Sequence, residues 1–464
     1  MTSDARATND QIIVTAPFDG RELGRVPKFD ADQVHGEVSI AHEAVATPHE
    51  PHARAAVLDR AVELLAQRHE EFAQCICSEA GKPITLARAE VDRALDTLRF
   101  SAVEARTLVG QVVPMSATTV GAVAAGFTLR VPVGVVAAIT PFNFPLNLSL
   151  HKLAPAIAAG CPIVHKPASS TPLTGVLLHD LLIDAGLPPE RLRLVTGSGG
   201  EVGDALATDP RVRHLSFTGS SDVGWQLPKR VHRARVSLEL GNSTPLLVFG
   251  DADLDAVAAA VAAHGYGFAG QSCISVQRVL VEQSVYGEVL ERLTAAVGGV
   301  AFGDPARDDV VAGPVIDAGA RDKVLGLLRE AEAAGARRLV GGDHDGNVIA
   351  PTLLADVDPA LAVSCQELFG PAVVVTPFED EAQAIEYANG TPYGLQAGAF
   401  TSDLTRALRL AERLEFGAVT INVSPTFRAD QMPYGGTKDS GNTKEGPAWA
   451  VRELTEERLV LLGR

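Results

Sequence analysis

Residues 133–169 read VGVVAAITPFNFPLNLSLHKLAPAIAAGCPIVHKPAS, and this stretch decides the fold. Residues 133–139 form a short apolar, β-branched run and predict a strand. Residues 146–159 form a longer apolar run and predict a helix, and 161–165 predict a second strand. The rhythm continues with a helix over 171–185, a strand over 192–196, a short helix over 201–207, and strands over 214–217 and 236–240. Strands and helices alternating through short loops imply a parallel sheet covered by helices.

Outward from this unit, the alternation restarts after about Pro245. Residues 246–248, 275–281, 373–376 and 418–421 predict strands, and 253–263, 317–334 and 381–388 predict helices. This is a second α/β unit of similar size. Upstream, residues 30–110 predict helices; the apolar spacing of 55–80 is helical and Gly81-Lys82-Pro83 stops it. Residues 111–132, rich in Val, Thr, Ala and Gly, predict extended strands outside the main core, and the tail 451–462 predicts another.

Composition agrees with this organisation. A chain of 464 residues is too long for one ordinary core. It is 46% hydrophobic and 21% charged, which suits a folded globular protein. No apolar run approaches the roughly 20 residues of a membrane span, and the polar stretch 1–11 lacks a signal-peptide core. The chain therefore reads as cytoplasmic. A net charge of −17 disfavours nucleic acid and anionic membranes as partners. The five cysteines, Cys75, Cys77, Cys161, Cys273 and Cys365, form neither a disulfide framework nor a metal-type spacing.

Several segments carry residues suited to chemistry. Gly270-Gln271-Ser272-Cys273 places a nucleophilic thiol among small and polar neighbours. Glu239 lies between leucines at a strand end, where partial burial would raise its pKa towards that of a general base; a solvated strand-end acid is the plain alternative. Asn143, in Thr140-Pro141-Phe142-Asn143-Phe144-Pro145, offers an amide N–H at a helix mouth, able to hold an oxyanion or simply to cap the turn. The segment from Thr196 through Gly199 to Gly203 is glycine-rich, follows a strand and opens a helix, which suits a phosphate. It departs from G-x-G-x-x-G at Val202. Phe217-Thr218-Gly219-Ser220 and Lys166 end two further strands, so Gly, Ser, Thr and Lys gather where a nucleotide crevice is expected.

Taken together and in this order, these segments resemble the aldehyde dehydrogenase superfamily from about Ala16 to Leu462. Further matching pieces are His165-Lys166-Pro167-Ala168-Ser169, Leu238-Glu239-Leu240-Gly241, Glu367-Leu368-Phe369-Gly370-Pro371 and Met432-Pro433-Tyr434-Gly435-Gly436. The resemblance implies an α/β fold of two parallel-sheet domains plus a small β bridging domain. The NAD(P)-binding domain would span 1–112 and 133–242, the catalytic domain 243–425, and the bridging segments 113–132 and 443–464. The bridge implies a homodimer or homotetramer.

The resemblance also implies roles. Cys273 matches the nucleophile, Glu239 the general base, and Asn143 the oxyanion donor beside the Cys273 backbone N–H. Lys166 and Glu367 match contacts to the cofactor riboses, Phe369 the ring beside the nicotinamide, and Ser220 a pyrophosphate contact. The chain departs from the family at Asn242-Ser243, where Gly-Asn is usual, and at Ser169, where NAD-selective members often carry Glu. Ser169 would not repel a 2′-phosphate, so the cofactor is NAD or NADP. No metal is expected. The implied reaction converts an aldehyde to its acid through a Cys273 thiohemiacetal and thioester. Retention of Glu239 favours water over CoA as the acyl acceptor, and retention of the whole set argues against a non-catalytic structural relative.

Within the superfamily, Phe427-Arg428-Ala429-Asp430 and Pro145-Leu146-Asn147-Leu148 resemble the lactaldehyde and phosphonate-aldehyde branch. Asn147 and His151 share one helix face, four and eight residues after Asn143. The resemblance places that face, with Arg428, Tyr434, Ser272 and Ile274, along the substrate tunnel. An arginine buried there without an acidic partner implies a small polar or anionic aldehyde, whereas pairing with Asp430 or exposure to solvent would remove that implication.

Overall fold

The computed structural model describes residues 10–463, so of the polar stretch 1–11 only the last two residues fall within it. Val135–Ile139 and Ile163–Lys166 are adjacent parallel strands joined through the helix Asn147–Ala159. Every residue of that helix is buried. This explains why it has no polar face: it lies between the sheet and an outer helical layer.

The sheet has five parallel strands in the order Leu192–Leu194, Ile163–Lys166, Val135–Ile139, Val212–Thr218, Arg235–Glu239. The chain builds outward to one side from Val135–Ile139 and then resumes on the other side at Val212–Thr218. That reversal leaves a crevice beyond the carboxyl ends of these two central strands. The loops 140–145 and 218–220 stand at it.

The helices Pro51–Gln67, His69–Ala80, Ile84–Thr107 and Pro172–Asp184 pack with Asn147–Ala159 over one face of the sheet. Ala31–Glu43 and Glu201–Thr208 cover the other. The helical stretch expected over 55–80 is in fact two helices meeting at Arg68, whose ψ of 17 leaves the helical range. Gly81 stops the second in the left-handed conformation (φ 68) that glycine adopts without a Cβ penalty.

The second sheet has seven strands in the order Arg337–Val340, Thr352–Ala355, Ala372–Phe378, Val276–Glu282, Thr244–Val248, Gln396–Phe400, Ala418–Ile421. All neighbouring pairs are parallel except the edge pair Arg337–Val340 with Thr352–Ala355. Three of its strands, Arg337–Val340, Thr352–Ala355 and Gln396–Phe400, and the helices Tyr286–Gly298 and Leu404–Arg413 are additions to the sequence reading. Gln396–Phe400 is masked by its small residues. Gly398 has no room for a side chain, because a Cβ there would come within 2.8 Å of Pro425.

Thr455–Gly463 pairs antiparallel with Ala124–Pro132, which in turn pairs with Val112–Val113, forming a separate three-stranded sheet. The tail is not one extended strand over 451–462. Gly446 turns the chain at φ 111, and Pro447 then starts the helix Pro447–Glu453, a position where its missing N–H costs nothing. Val451 and Leu454 join the core around Asn147–Ala159 before the strand begins.

The two α/β units meet over a short crossing. Glu239 ends the last strand of the first sheet, and Thr244 begins the first strand of the second. Gly241-Asn242-Ser243 spans the gap.

Candidate active site

A cleft with a cavity volume of about 360 Å³ runs between the two units, within the range of ligand-binding pockets. The first unit contributes Phe142, Asn143, Leu148 and the loop 218–220 to its walls. The second contributes Cys273, Ile316, Lys323, Glu367 and Phe369. Phe142 and Phe369 meet edge to face across it, ring centroids 5.9 Å apart.

Cys273 is aimed into the cleft by a strained turn. Phe268, Ala269 and Gly270 have φ of 53, 54 and 67, three successive left-handed residues. Such a run is unfavourable for side chains other than glycine and must be held from outside. A Cβ on Gly270 would strike the Gly370 carbonyl. Gln271 anchors the turn by donating to the carbonyls of Phe268 (3.3 Å) and Pro314 (3.1 Å) and accepting from Ile316 N–H (2.9 Å). The Cys273 sulfur lies 3.0 Å from the Tyr434 hydroxyl and packs with Ile274, Leu395 and the Tyr434 ring. Burial pushes its thiol up to about 12, and the Tyr434 hydrogen bond acts against that shift. Cys75, Cys77 and Cys161 lie in helix packing or core instead, with their thiols raised by burial.

Asn143 is buried, and its side-chain amide donates to the Gln271 carbonyl at 3.0 Å. This bond ties the Pro-Phe-Asn-Phe-Pro loop to the turn that carries Cys273 and leaves one amide N–H uncommitted.

Glu239 is 3% exposed, and neither carboxylate oxygen has a hydrogen-bond partner among the described residues. Gly435 leaves it room, since a Cβ there would come within 2.7 Å of Glu239 Oε1. Burial drives its pKa well above the ordinary carboxylate value, and the neighbouring negative charge of Glu445 adds to that. Glu445 is itself held low: burial acts upward, but Lys152 and Arg428 outweigh it. Lys152 Nζ lies 3.1 Å and Arg428 Nη2 2.8 Å from its two oxygens. The sequence reading missed Lys152 and Glu445. A lysine inside the apolar run 146–159 was a signal for the first; Glu445 has none, because only the fold brings it there.

Three substrate expectations change. Arg428 does not lack an acidic partner, nor is that partner Asp430: it pairs with Glu445 and stacks on Tyr434, 3.7 Å from the ring centroid. Asn147 and His151 are not walls of the open cleft, where Leu148 stands instead. Both bond to Asp430, Asn147 Nδ2 at 3.0 Å and His151 Nε2 at 2.9 Å, and Arg93 pairs with the same carboxylate. Thr97 closes the group by donating to Asn147 Oδ1. The helix rotation is set by this buried network, which spacing alone does not reveal.

The crevice residues fit a nicotinamide dinucleotide. Thr218 Oγ1 is buried without a partner among the described residues. Gly219 allows close backbone approach above the buried Phe217 ring, which a Cβ would meet at 2.5 Å. Among the described residues the Lys166 ammonium donates only to the neutral Pro167 carbonyl at 3.3 Å, and burial lowers its pKa to about 8. Glu367 is raised by burial to about 7 and accepts from Asn242 N–H. A buried ammonium and a buried carboxyl with spare capacity suit ribose hydroxyls. Ser169 spends its hydroxyl on the Gly197 carbonyl (2.6 Å), and Gly199 is exposed with open space where a side chain would go. Ser272 lies beside Glu367 in an adjoining small cavity.

The unusual Asn242-Ser243 is satisfied in place. Asn242 donates to Thr244 Oγ1 (2.8 Å) and the Gln396 carbonyl (3.1 Å), and Ser243 donates to the Ser364 carbonyl (2.7 Å). Gly241 gives the Glu367 carboxylate its room, since a Cβ there would come within 2.6 Å of Glu367 Oε2. Among the described residues no cluster has the makings of a metal site.

The sequence matches the aldehyde dehydrogenase family over residues 4–460. It is 41% identical to a 3-sulfolactaldehyde dehydrogenase of Priestia aryabhattai, over 98% of this chain and 95% of that one. It is 37% identical to the NADP(+) succinate-semialdehyde dehydrogenase GabD of Escherichia coli, over 98% and 95%. The glyceraldehyde-3-phosphate dehydrogenase GapN of Methanocaldococcus jannaschii, solved in complex with NADP, superposes with a TM-score of 0.95 at 34% identity, covering 98% of this chain and all of that one.

Proposed function

The chain belongs to the aldehyde dehydrogenase family and is an NAD(P)-dependent dehydrogenase, and from that premise we propose that Cys273, Asn143 and Glu239 oxidise a small aldehyde bearing a polar or anionic group. The observation that carries this reading is the buried Arg428, stacked on the Tyr434 ring whose hydroxyl meets Cys273. Pairing with Glu445 means that its charge is not unpaired, and leaves one guanidinium N–H to be satisfied. Its Nη2 is committed to Glu445, but its Nε is buried with no partner among the described residues. A buried guanidinium N–H left unpaired costs free energy that an anionic or hydroxylated substrate group would recover.

The residues divide the reaction between them. The Cys273 thiolate attacks the aldehyde carbon and forms a thiohemiacetal. Asn143 and the Cys273 backbone N–H hold the developing oxyanion. A bound nicotinamide would supply the hydride acceptor, and loss of hydride from that carbon would leave it as the Cys273 thioester. Lys166, Glu367 and the loop 217–220 would hold the cofactor. Glu239 then takes a proton from water, whose oxygen attacks the thioester; the acid leaves and the Cys273 thiolate is restored. The high proton affinity of the buried Glu239 suits it to this step once ionised.

Relatives acting on sulfolactaldehyde and succinate semialdehyde support an anionic aldehyde. A homo-oligomer fits the exposed Leu459 and Leu461, which share one face of the strand Thr455–Gly463 and suit a second copy. Among the described residues no helix is long and apolar enough to cross a membrane.

The test is an aldehyde panel with NAD and NADP in separate assays. Succinic semialdehyde and lactaldehyde should outperform hexanal in kcat/KM. Arg428→Leu should cost about 2 kcal/mol more on the anionic aldehyde than on a short neutral one. Equal losses, or a preference for hexanal, would refute the assignment.

A further inference from the structure

Lys82 is a fully buried cation seated between two loops that the reaction uses. Its ammonium pairs with the equally buried Glu90. It also lies 3.6 Å from the ring centroid of Phe144 and 4.7 Å from that of Phe268. Phe144 follows Asn143 directly. Phe268 opens the left-handed turn that delivers Cys273. Glu90 acts on the same assembly from its other oxygen, accepting from Leu146 and Asn147 N–H at 3.0 Å each. It thereby caps the helix Asn147–Ala159 from a distant part of the chain.

A buried ion pair is a poor choice if packing alone were needed, because apolar residues of equal volume are often as stable or more so. An ammonium does what a methionine cannot. It attracts the faces of two aromatic rings at once and fixes them relative to each other. The carboxylate meanwhile locks the backbone that follows the Asn143 loop. Phe268 also needs such a hold, since a bulky residue at φ 53 does not keep that conformation unaided.

We propose that Lys82 and Glu90 form a positioning pair that keeps the Asn143 amide in register with Cys273. The pair touches neither substrate nor cofactor. It acts through Phe144 on the oxyanion donor, with the Phe268 ring as the fixed surface against which Phe144 is held. The inference rests on the roles given above to Asn143 and Cys273.

The test is a double-mutant cycle of Lys82→Met with Asn143→Ala, read as the rate of the first-turnover burst of reduced cofactor. Alkylation of Cys273 by iodoacetamide serves as the second readout, because that reaction develops no oxyanion. Lys82→Met should slow the burst about tenfold in the wild-type background and less than about twofold in Asn143→Ala. Its alkylation rate and KM for the cofactor should stay within about twofold of wild type. Phe144→Leu keeps the ion pair, removes one ring and should slow the burst by about threefold, also only while Asn143 is present; it reports the link if Lys82→Met does not fold. A burst loss as large in the Asn143→Ala background, or an equal fall in burst and alkylation, overturns the pair's positioning role. A fast burst in Asn143→Ala alone would instead remove the donor role of Asn143, and the purpose of the pair with it.

Discussion

The hydroxyl of Tyr434 lies 3.0 Å from the sulfur of Cys273, and no other side chain among the described residues bonds to that sulfur. The phenol stands between two side chains. Arg428 lies over its ring, and its hydroxyl meets the Cys273 thiol. The Tyr434 bond opposes the upward shift that burial imposes on the thiol.

Tyr434→Phe is therefore predicted to raise the Cys273 pKa. The thiolate accepts the phenol's hydrogen bond, so losing that bond disfavours the thiolate. A bond to a charged group is worth about 1.5 kcal/mol or more, which corresponds to about one pH unit. The pH profile of iodoacetamide alkylation should move to higher pH by about that much. An unchanged profile would show that the contact does not tune the thiol.

Glu239→Gln is predicted to separate the two halves of the reaction. The amide keeps the shape but cannot take a proton from water, so thioester hydrolysis should slow far more than acylation. Stopped-flow absorbance should show a burst of reduced cofactor followed by turnover reduced about a hundredfold or more. Cys273→Ala should show neither burst nor turnover while still binding cofactor. Loss of the burst itself in Glu239→Gln would contradict its placement as the hydrolytic base.

Glu445→Gln is predicted to shift the acidic limb of the kcat profile to lower pH. Burial raises Glu239 first, and the charge of Glu445 raises it further. Removing that charge while Lys152 and Arg428 remain must favour ionised Glu239, so its pKa falls. A shift of about one unit is expected. Movement to higher pH, or none, would disconnect the two carboxylates.

Ser169→Glu is predicted to turn the enzyme towards NAD. The wild-type serine puts no carboxylate at this position, so NADP should be used within about tenfold of NAD, a difference of about 1.4 kcal/mol. A glutamate would repel a 2′-phosphate and accept from ribose hydroxyls. The ratio of kcat/KM for NAD over NADP should rise by at least about tenfold in the variant. A wild-type preference for NAD above roughly a hundredfold would show that another residue governs the choice.

The alternation in 133–240 determined the parallel sheet, because strands buried on both faces must read as short apolar runs and their connections as helices. The motifs determined Cys273, Asn143 and the loop 217–220 as walls of one cleft for the same local reason: each sits where a strand or tight turn ends, and chain direction there is set by nearby glycine and proline. The charges behind them were different. Arg428 with Glu445, Asn147 and His151 with Asp430, and Lys82 with Glu90 join residues from 8 to 283 positions apart. No local rule selects among the acidic partners available to a buried cation or amide. That choice follows from which carboxylate the packed helices leave within reach once water is excluded, so it was decided only by the tertiary structure.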